Sequence, residues 1–446
     1  MKKKLEDIKR FATEHRWALT VLVLLLIRRL MAVYSLGFTY SLESDDSAYV
    51  TSGIVFAKTG MLTMHEVEYP SAQIMPGMTW LIGLFSLIFG EGKLLWAALK
   101  LLWICMGTLT AWFVYRCVRM FAPTWCGVVG MLPFFRSDMV WLDNLILTET
   151  PFMLALTAMV YYTLKMARKP GWPAFWCCLA AYMAGLMFKA NIAPYPLLAF
   201  IYLLIVKYDR KLLLRQCAAL AGVVLCFVVP WSIRNYVQFH AFIPLTYGAG
   251  NPTLLGTYQG MNYPKDESLD YETNVDRLVR DKYAYYYDES GNVKPEYRKY
   301  VSLKKDGIKA AYRQKEWALR DIKSMAYSYL YMKPQMMVNS IFYWDTVFDE
   351  PNEALLLEQR IDLRICILSL AAAVILKRDR KPMLFVAGVY IVNIYIYAMT
   401  YAFSRYNASL MSLRFIFVGI GAGLILGLLR KGMDSIRIHW GIDSQL

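Results

Sequence analysis

The chain has 446 residues, 57% of them hydrophobic and 15% aromatic, with a formal net charge of +15. Apolar runs of about 17–23 residues recur along it, the length that crosses a bilayer, which excludes an ordinary soluble domain. The Lys and Arg surplus falls in short loops between those runs, the pattern of the positive-inside rule, so nucleic acid is not needed to explain it.

The first run, 17–39, follows the basic stretch "MKKKLEDIKR" and contains Arg28 and Arg29. It is too long for a signal peptide and reads as an uncleaved first span. Further spans are predicted at 94–115, 121–137, 150–167, 173–189, 192–207, 213–231, 361–377, 383–401 and 408–429. With the N-terminus inside, ten crossings put Arg116 and Arg119, "KMARK", "KYDRKLLLR", "KRDRK" and "RKGMDSIR" on the cytoplasmic side, together with both termini. The same count leaves 40–92, 138–149, 232–360 and 402–407 outside.

The apolar segment 75–90, "MPGMTWLIGLFSLIFG", would invert everything after it if it crossed. It is therefore expected to lie in or on the membrane within the first outer loop, with Pro76 near its first turn. The alternative is that it crosses and one of 121–137 or 192–207 does not. The predicted fold class is an all-α integral membrane protein, a polytopic bundle of about 10–11 spans with helices in its outer loops. Three parts follow: a membrane module at 1–231 that includes the outer loop 40–92, a large outer segment at 232–360, and C-terminal spans at 361–446.

In the outer segment, "YGAGNPTLLGTYQGMNYPKDES" is rich in Gly, Asn and Pro and reads as loop. Apolar residues at helical spacing from about 306 to 342 predict outer helices, through Ile308, Ala311, Tyr312, Trp317, Leu319, Ile322 and Met325. The tyrosines of "DKYAYYYDES" suit sugar faces but also interface anchoring, the reading preferred here. All eight cysteines lie in apolar runs or beside basic loops, and no disulfide framework is implied. No internal repeat of the transporter kind is visible.

Charges placed at the outer membrane surface carry the functional signal. They are Asp45 and Asp46, Glu149 in "TETPF", Lys189 in "FKANIAPYP", Arg234 with Asn235 in "PWSIRNY", and Arg405 with Tyr406 in "SRYNAS". Arg28 and Arg29 sit within the first span. Any one of them could be a snorkelling anchor, but acids and bases from several spans at one leaflet suggest an outward-facing pocket. Asp45, Tyr49 and Gly53 fall at i, i+4 and i+8 and share one helix face. Taken alone, an Asp-Asp pair is also an ordinary helix N-cap.

The order of these motifs resembles the polytopic C-type glycosyltransferases that use a lipid-phosphate sugar donor. The closest branches are the protein O-mannosyltransferases and the enzymes related to lipid A aminoarabinose transferase. The resemblance runs from about 40 to 425 through Asp45-Asp46, Tyr49, Gly53 and Gly60, then "MPGMTWLIGLFSLIFGEG", "TETPF", the Trp-x-x-Arg-Asn entry to the large outer loop, and the late Arg-Tyr. Two features depart from it: the acidic pair is Asp-Asp rather than Asp-Glu, and Asn407 and Ala408 stand where the family commonly has prolines.

The resemblance implies transfer of one sugar from a polyprenyl-phosphate donor to an acceptor hydroxyl at the extracytoplasmic face of a multi-pass membrane protein, with inversion. The acceptor would be a glycan, lipid or protein, and no nucleic acid is involved. Asp45 would act as base with Asp46 and Glu149 in support. Tyr49, Lys189, Arg234, Asn235, Arg405, Tyr406, Arg28 and Arg29 would hold phosphate and sugar. No cofactor is required by this reading, although relatives differ in metal use; His65 beside Glu66 and Glu68 could form a divalent-metal site, with a solvated loop preferred. The competing readings are a flippase or transporter of a lipid-linked saccharide and a polysaccharide polymerase or ligase.

Overall fold

The computed structural model describes residues 2–261, 271–343, 352–377 and 379–439. Arg378 of the basic loop "KRDRK" and the 262–268 end of the Gly-rich outer stretch lie outside the described residues. Among the described residues the chain is helical, with isolated β-bridges in place of strands.

The long apolar runs become helices, several of which extend well beyond the apolar run into the flanking polar residues. They are α1 (Lys2–Leu36), α4 (Lys93–Val118), α7 (Glu149–Arg168), α8 (Trp172–Phe188), α10 (Arg210–Phe239), α17 (Glu353–Ile375), α18 (Arg380–Ala398) and α20 (Met411–His439). Among the described residues, four stretches are long and apolar enough to cross a membrane: Lys9–Leu36, Lys93–Val118, Arg210–Phe239 and Arg380–Ala398. The helix α7 has 20 residues, about 30 Å at 1.5 Å per residue, and most of its side chains are buried in the bundle.

Three expected apolar segments form shorter helices. Segment 75–90 becomes α3 (Gly77–Phe89), 192–207 becomes α9 (Tyr195–Ile205), and 121–137 becomes α5 (Thr124–Met131) running into a 3₁₀ turn over Leu132–Phe135. Each spans only about 17–20 Å, shorter than the hydrocarbon core. The three are therefore alike in length, and 75–90 is no poorer a candidate to cross than the two counted as spans.

The core lies where α4, α5, α7 and α20 meet, and small residues bring these helices close. A Cβ on Gly419 of α20 would sit 2.7 Å from the Cys126 carbonyl of α5. The Thr157 hydroxyl of α7 donates to Ser412 Oγ of α20 at 2.7 Å.

Outside the spans, α2 (Asp45–Thr59) packs on α3. A Cβ on Gly53 would lie 2.4 Å from Ile82, so glycine is required where those helices cross. The outer segment supplies α11 (Gly250–Leu255), α12 (Tyr271–Lys282), α13 (Arg298–Ala311), α14 (Gln314–Arg320), α15 (Ile322–Tyr327) and α16 (Lys333–Asn339). Its tyrosines build a small core of their own: Tyr286 stacks on Tyr283 and Tyr297 at 5.4 and 4.8 Å, over Leu254, Val275, Val279 and Val301. Tyr286 is thus packed inside the outer lobe, whereas Tyr285 beside it is exposed.

Candidate active site

Helix α2 begins at Asp45 and α7 at Glu149, so both carboxylates stand at helix N-termini, where the macrodipole favours negative charge. Lys189 occupies the extended residue that ends α8. Arg405 lies on a one-turn helix, α19 (Ser404–Ala408), just before α20. Four distant stretches of sequence converge here.

They form a chain of alternating charge. Asp45 Oδ2 lies 2.6 Å from Arg405 Nη1, Arg405 Nε lies 3.9 Å from Glu149 Oε1, and the same Glu149 oxygen accepts from Lys189 Nζ at 2.9 Å. Aromatic rings wall the cations: Lys189 sits 4.5 Å from the centre of Tyr406 and 5.3 Å from that of Tyr397, whose rings stack at 4.4 Å. Cation–π attraction of this kind holds an ammonium without neutralising it. Glu149 is almost wholly buried, while Arg405 and Asp45 keep 25% and 19% of their side chains exposed, so the row opens at its Asp45 end.

His65 joins at that end, with Nε2 3.4 Å from Asp45 Oδ1. Its backbone is left-handed, at φ +58°, an uncommon conformation for a non-glycine residue. Burial alone would raise the Asp45 pKa, but the His65 and Arg405 contacts hold it far below the usual carboxylate range. In return the hydrogen bond to Asp45 raises the pKa of His65. Burial lowers the pKa of Arg405, yet Glu149 and Asp45 outweigh it and raise it further, so its charge is permanent. Tyr49, one turn along α2 from Asp45, is buried, and burial pushes its hydroxyl well up.

The other expected site residues are placed elsewhere or used differently. Asp46 is fully buried, and its carboxylate accepts the main-chain N–H groups of Leu42 and Ser44 at 2.8 and 3.2 Å, closing the turn into α2. Arg29 is buried against Asp143 at 2.7 Å, and Arg28 is exposed on the outside of α1. Arg234 donates to the Ser71 carbonyl at 3.0 Å and to Asn235 Oδ1 at 2.9 Å, while Asn235 donates to the Ile243 carbonyl at 2.8 Å. That pair fastens the end of α10 to the first outer loop.

His65 is the residue that sequence reasoning undervalued; its only signal was its place in the outer loop beside Glu66 and Glu68. Among the described residues, no group of three or more His, Cys, Asp and Glu side chains comes together as a metal site. A largely apolar groove between α8, α9 and α10, lined by Phe175, Tyr182, Pro196, Leu203 and Leu220, shares no residue with the charged cluster.

Residues 71–233, from the first outer loop to Arg234's neighbour Ile233, match the family model of dolichyl-phosphate-mannose-protein mannosyltransferase. The matched segment is similar to a mannosyltransferase family that takes its sugar from a lipid phosphate. It covers a little over a third of the chain and includes two members of the charged row, Glu149 and Lys189. No curated protein matches the sequence.

Among solved structures, the chain is similar to the archaeal oligosaccharyltransferase AglB from Archaeoglobus fulgidus, in complex with an inhibitory peptide and a dolichol-phosphate. The identity is 13% over 96% of this chain and 52% of that one, with a TM-score of 0.55, which shows a shared fold. It is also similar to ArnT from Cupriavidus metallidurans bound to undecaprenyl phosphate, at 16% identity over 92% of this chain and 78% of that one, with a TM-score of 0.43. The apo state of ArnT gives 16% identity, 91% and 77% coverage, and a TM-score of 0.40.

Proposed function

We propose that this protein moves a single sugar from a polyprenyl-phosphate donor to an acceptor hydroxyl, with inversion, at the extracytoplasmic face. The observation that carries the reading is the row Asp45–Arg405–Glu149–Lys189, two anions alternating with two cations drawn from four segments. The donor class is supported by the matched family's dolichyl-phosphate mannose and by the dolichol-phosphate held by AglB. The face is supported by the basic loops, which the positive-inside rule assigns to the opposite side.

In the transfer, the acceptor oxygen forms a bond to the anomeric carbon as the bond from that carbon to the phosphate oxygen breaks. The electron pair leaves with the phosphate, whose charge grows by one, and the hydroxyl proton passes to a carboxylate. Asp45 is the base in this reading. At rest its carboxylate is too strongly held by Arg405 and His65 to take a proton. As negative charge builds on the phosphate, Arg405 turns to it and Asp45 regains basicity where a proton is released. Lys189, gripped by Glu149, supplies the second fixed positive charge. Attack from the Asp45 side with departure toward the cations gives inversion.

Asp45→Asn is the direct test. Cells lacking the protein should lose a sugar from an envelope glycan by mass spectrometry, and the variant, inserted at normal levels, should restore it about 10³-fold more slowly than wild type. Full restoration by Asp45→Asn would remove Asp45 as base. An unchanged glycan profile in the cells lacking the protein would count heavily against the transferase reading.

A further inference from the structure

Arg405 reaches Asp45 and Glu149 from the end of a segment with almost no regular structure of its own. After α18 ends at Ala398, residues 399–403 run without helix or strand into the single turn of α19. What holds them comes from the large outer segment. The Gln259 side chain pairs with both main-chain groups of Ala402: the Ala402 N–H donates to Oε1 at 2.7 Å, and Nε2 donates to the Ala402 carbonyl at 3.4 Å. Lys333 Nζ donates to the Thr400 carbonyl. The backbone of Gly256 presses on the same carbonyl, since a Cβ there would lie 2.1 Å from it. On the far side of Arg405, Asn407 Nδ2 donates to the Ser340 carbonyl at 2.9 Å.

Lys333 is fully buried, 4.0 Å from the centre of the Tyr329 ring, and burial lowers its pKa to about 7. An amine buried without a carboxylate partner is costly, and an apolar side chain of similar length would fill the space without that cost. What the amine adds is the bond to Thr400, five residues before Arg405.

We infer that Gln259 and Lys333 are positioning residues for Arg405, so that the outer segment is a working part of the transfer site. The inference rests on the proposed role of Arg405 as the cation facing the leaving phosphate. Displacing a catalytic charge by about 1 Å can cost on the order of a hundredfold in rate. Gln259→Ala and Lys333→Met should therefore each lower kcat/KM for the lipid-phosphate donor by about ten- to a hundredfold. Gln259→Glu, which keeps the acceptor for the Ala402 N–H, should retain most of the activity.

The deciding measurement is a double-mutant cycle in the purified full-length protein. In an Arg405→Ala background, Gln259→Ala should bring no further loss, because its effect passes through Arg405. The same fold-loss in both backgrounds would overturn the inference and leave a general stabilising role. Should Arg405→Ala be too slow to assay, undecaprenyl phosphate binding is the readout. Gln259→Ala should weaken it about tenfold in the presence of Arg405 and not in its absence.

If wild type binds no undecaprenyl phosphate, the proposed donor fails, while the clasp is still tested by hydrogen exchange. Amides of 402–407 should exchange faster in Gln259→Ala and Lys333→Met than in wild type, with α7 unchanged. Equal exchange in all three proteins would overturn the inference whatever the donor.

Discussion

The contact between His65 and Asp45 ties the chemistry of the site to pH. Asp45 raises the His65 pKa above its ordinary 6.5, with Glu66 adding to it and Arg405 opposing it. Below that raised value the imidazolium and Arg405 both hold Asp45, and the site has its most positive charge. As pH climbs through it, the imidazolium is lost, and Asp45 becomes a better base while the site's hold on a phosphate weakens. Wild type is therefore expected to gain in kcat, with a rising KM for the donor, as pH increases past 6.5. A change of about tenfold per pK unit is the upper bound. His65→Gln should flatten both trends; a pH profile identical to wild type would detach His65 from the site. The stability that this pair contributes is fully present below 6.5 and is lost as pH rises through the raised His65 value. Asp45 itself stays ionised throughout this window.

At the scale of elements, charge and length were legible in the sequence and long-range clasps were not. Runs of apolar residues mark α1, α4, α10 and α18 because a bilayer demands both length and composition. Asp45, Glu149, Lys189 and Arg405 could be singled out because ionisable groups within or at the rim of membrane spans are costly to keep. The same signal also drew in Arg29, Arg234 and Asp46, since a charge that fastens a helix or closes a turn looks like one kept for a ligand until its partner is known. Gln259 gave no signal at all, standing in an unpatterned stretch 143 residues from Ala402. The helices α14 and α15 show the reverse case, in which helical spacing was legible but the covered face was not. Trp317 turns into the outer lobe, while Leu319 and Ile322 are 78% and 62% exposed, flanked by exposed Lys315, Arg320 and Lys323. Just beyond, the Leu330 carbonyl accepts from Tyr395 of α18 at 2.9 Å, placing this stripe next to the outer surface of a span. An apolar stripe edged by Lys and Arg is expected to seat in the headgroup region. A tryptophan introduced as Leu319→Trp should thus be quenched by brominated lipids in proteoliposomes, more strongly than one introduced at exposed Lys315. Equal quenching at the two positions would place the stripe in water.

The whole bundle is joined behind the site at Asp143, which explains an arginine inside the first span. Arg29 of α1 lies 2.7 Å from Asp143, and Thr150 of α7 donates to the other carboxylate oxygen at 2.9 Å. Gly107 of α4 leaves the room, because a Cβ there would fall 1.9 Å from Asp143. The first span, α4 and the start of α7 thus meet at one buried carboxylate, six residues before Glu149. Removing one partner of such a pair strands a buried charge, at a cost of about 3–5 kcal/mol, whereas removing both with apolar side chains is often nearly neutral. Arg29→Leu should therefore lower the melting temperature of the detergent-solubilised protein, and Arg29→Leu with Asp143→Leu should recover most of the loss. Activity per folded molecule should be little changed in the double variant, because the pair joins α1 to the start of α7 behind the charged row. If Arg29→Leu instead left the melting temperature unchanged and raised the KM for the lipid-phosphate donor, Arg29 would belong to the phosphate site. The first span would then carry chemistry as well as the fold.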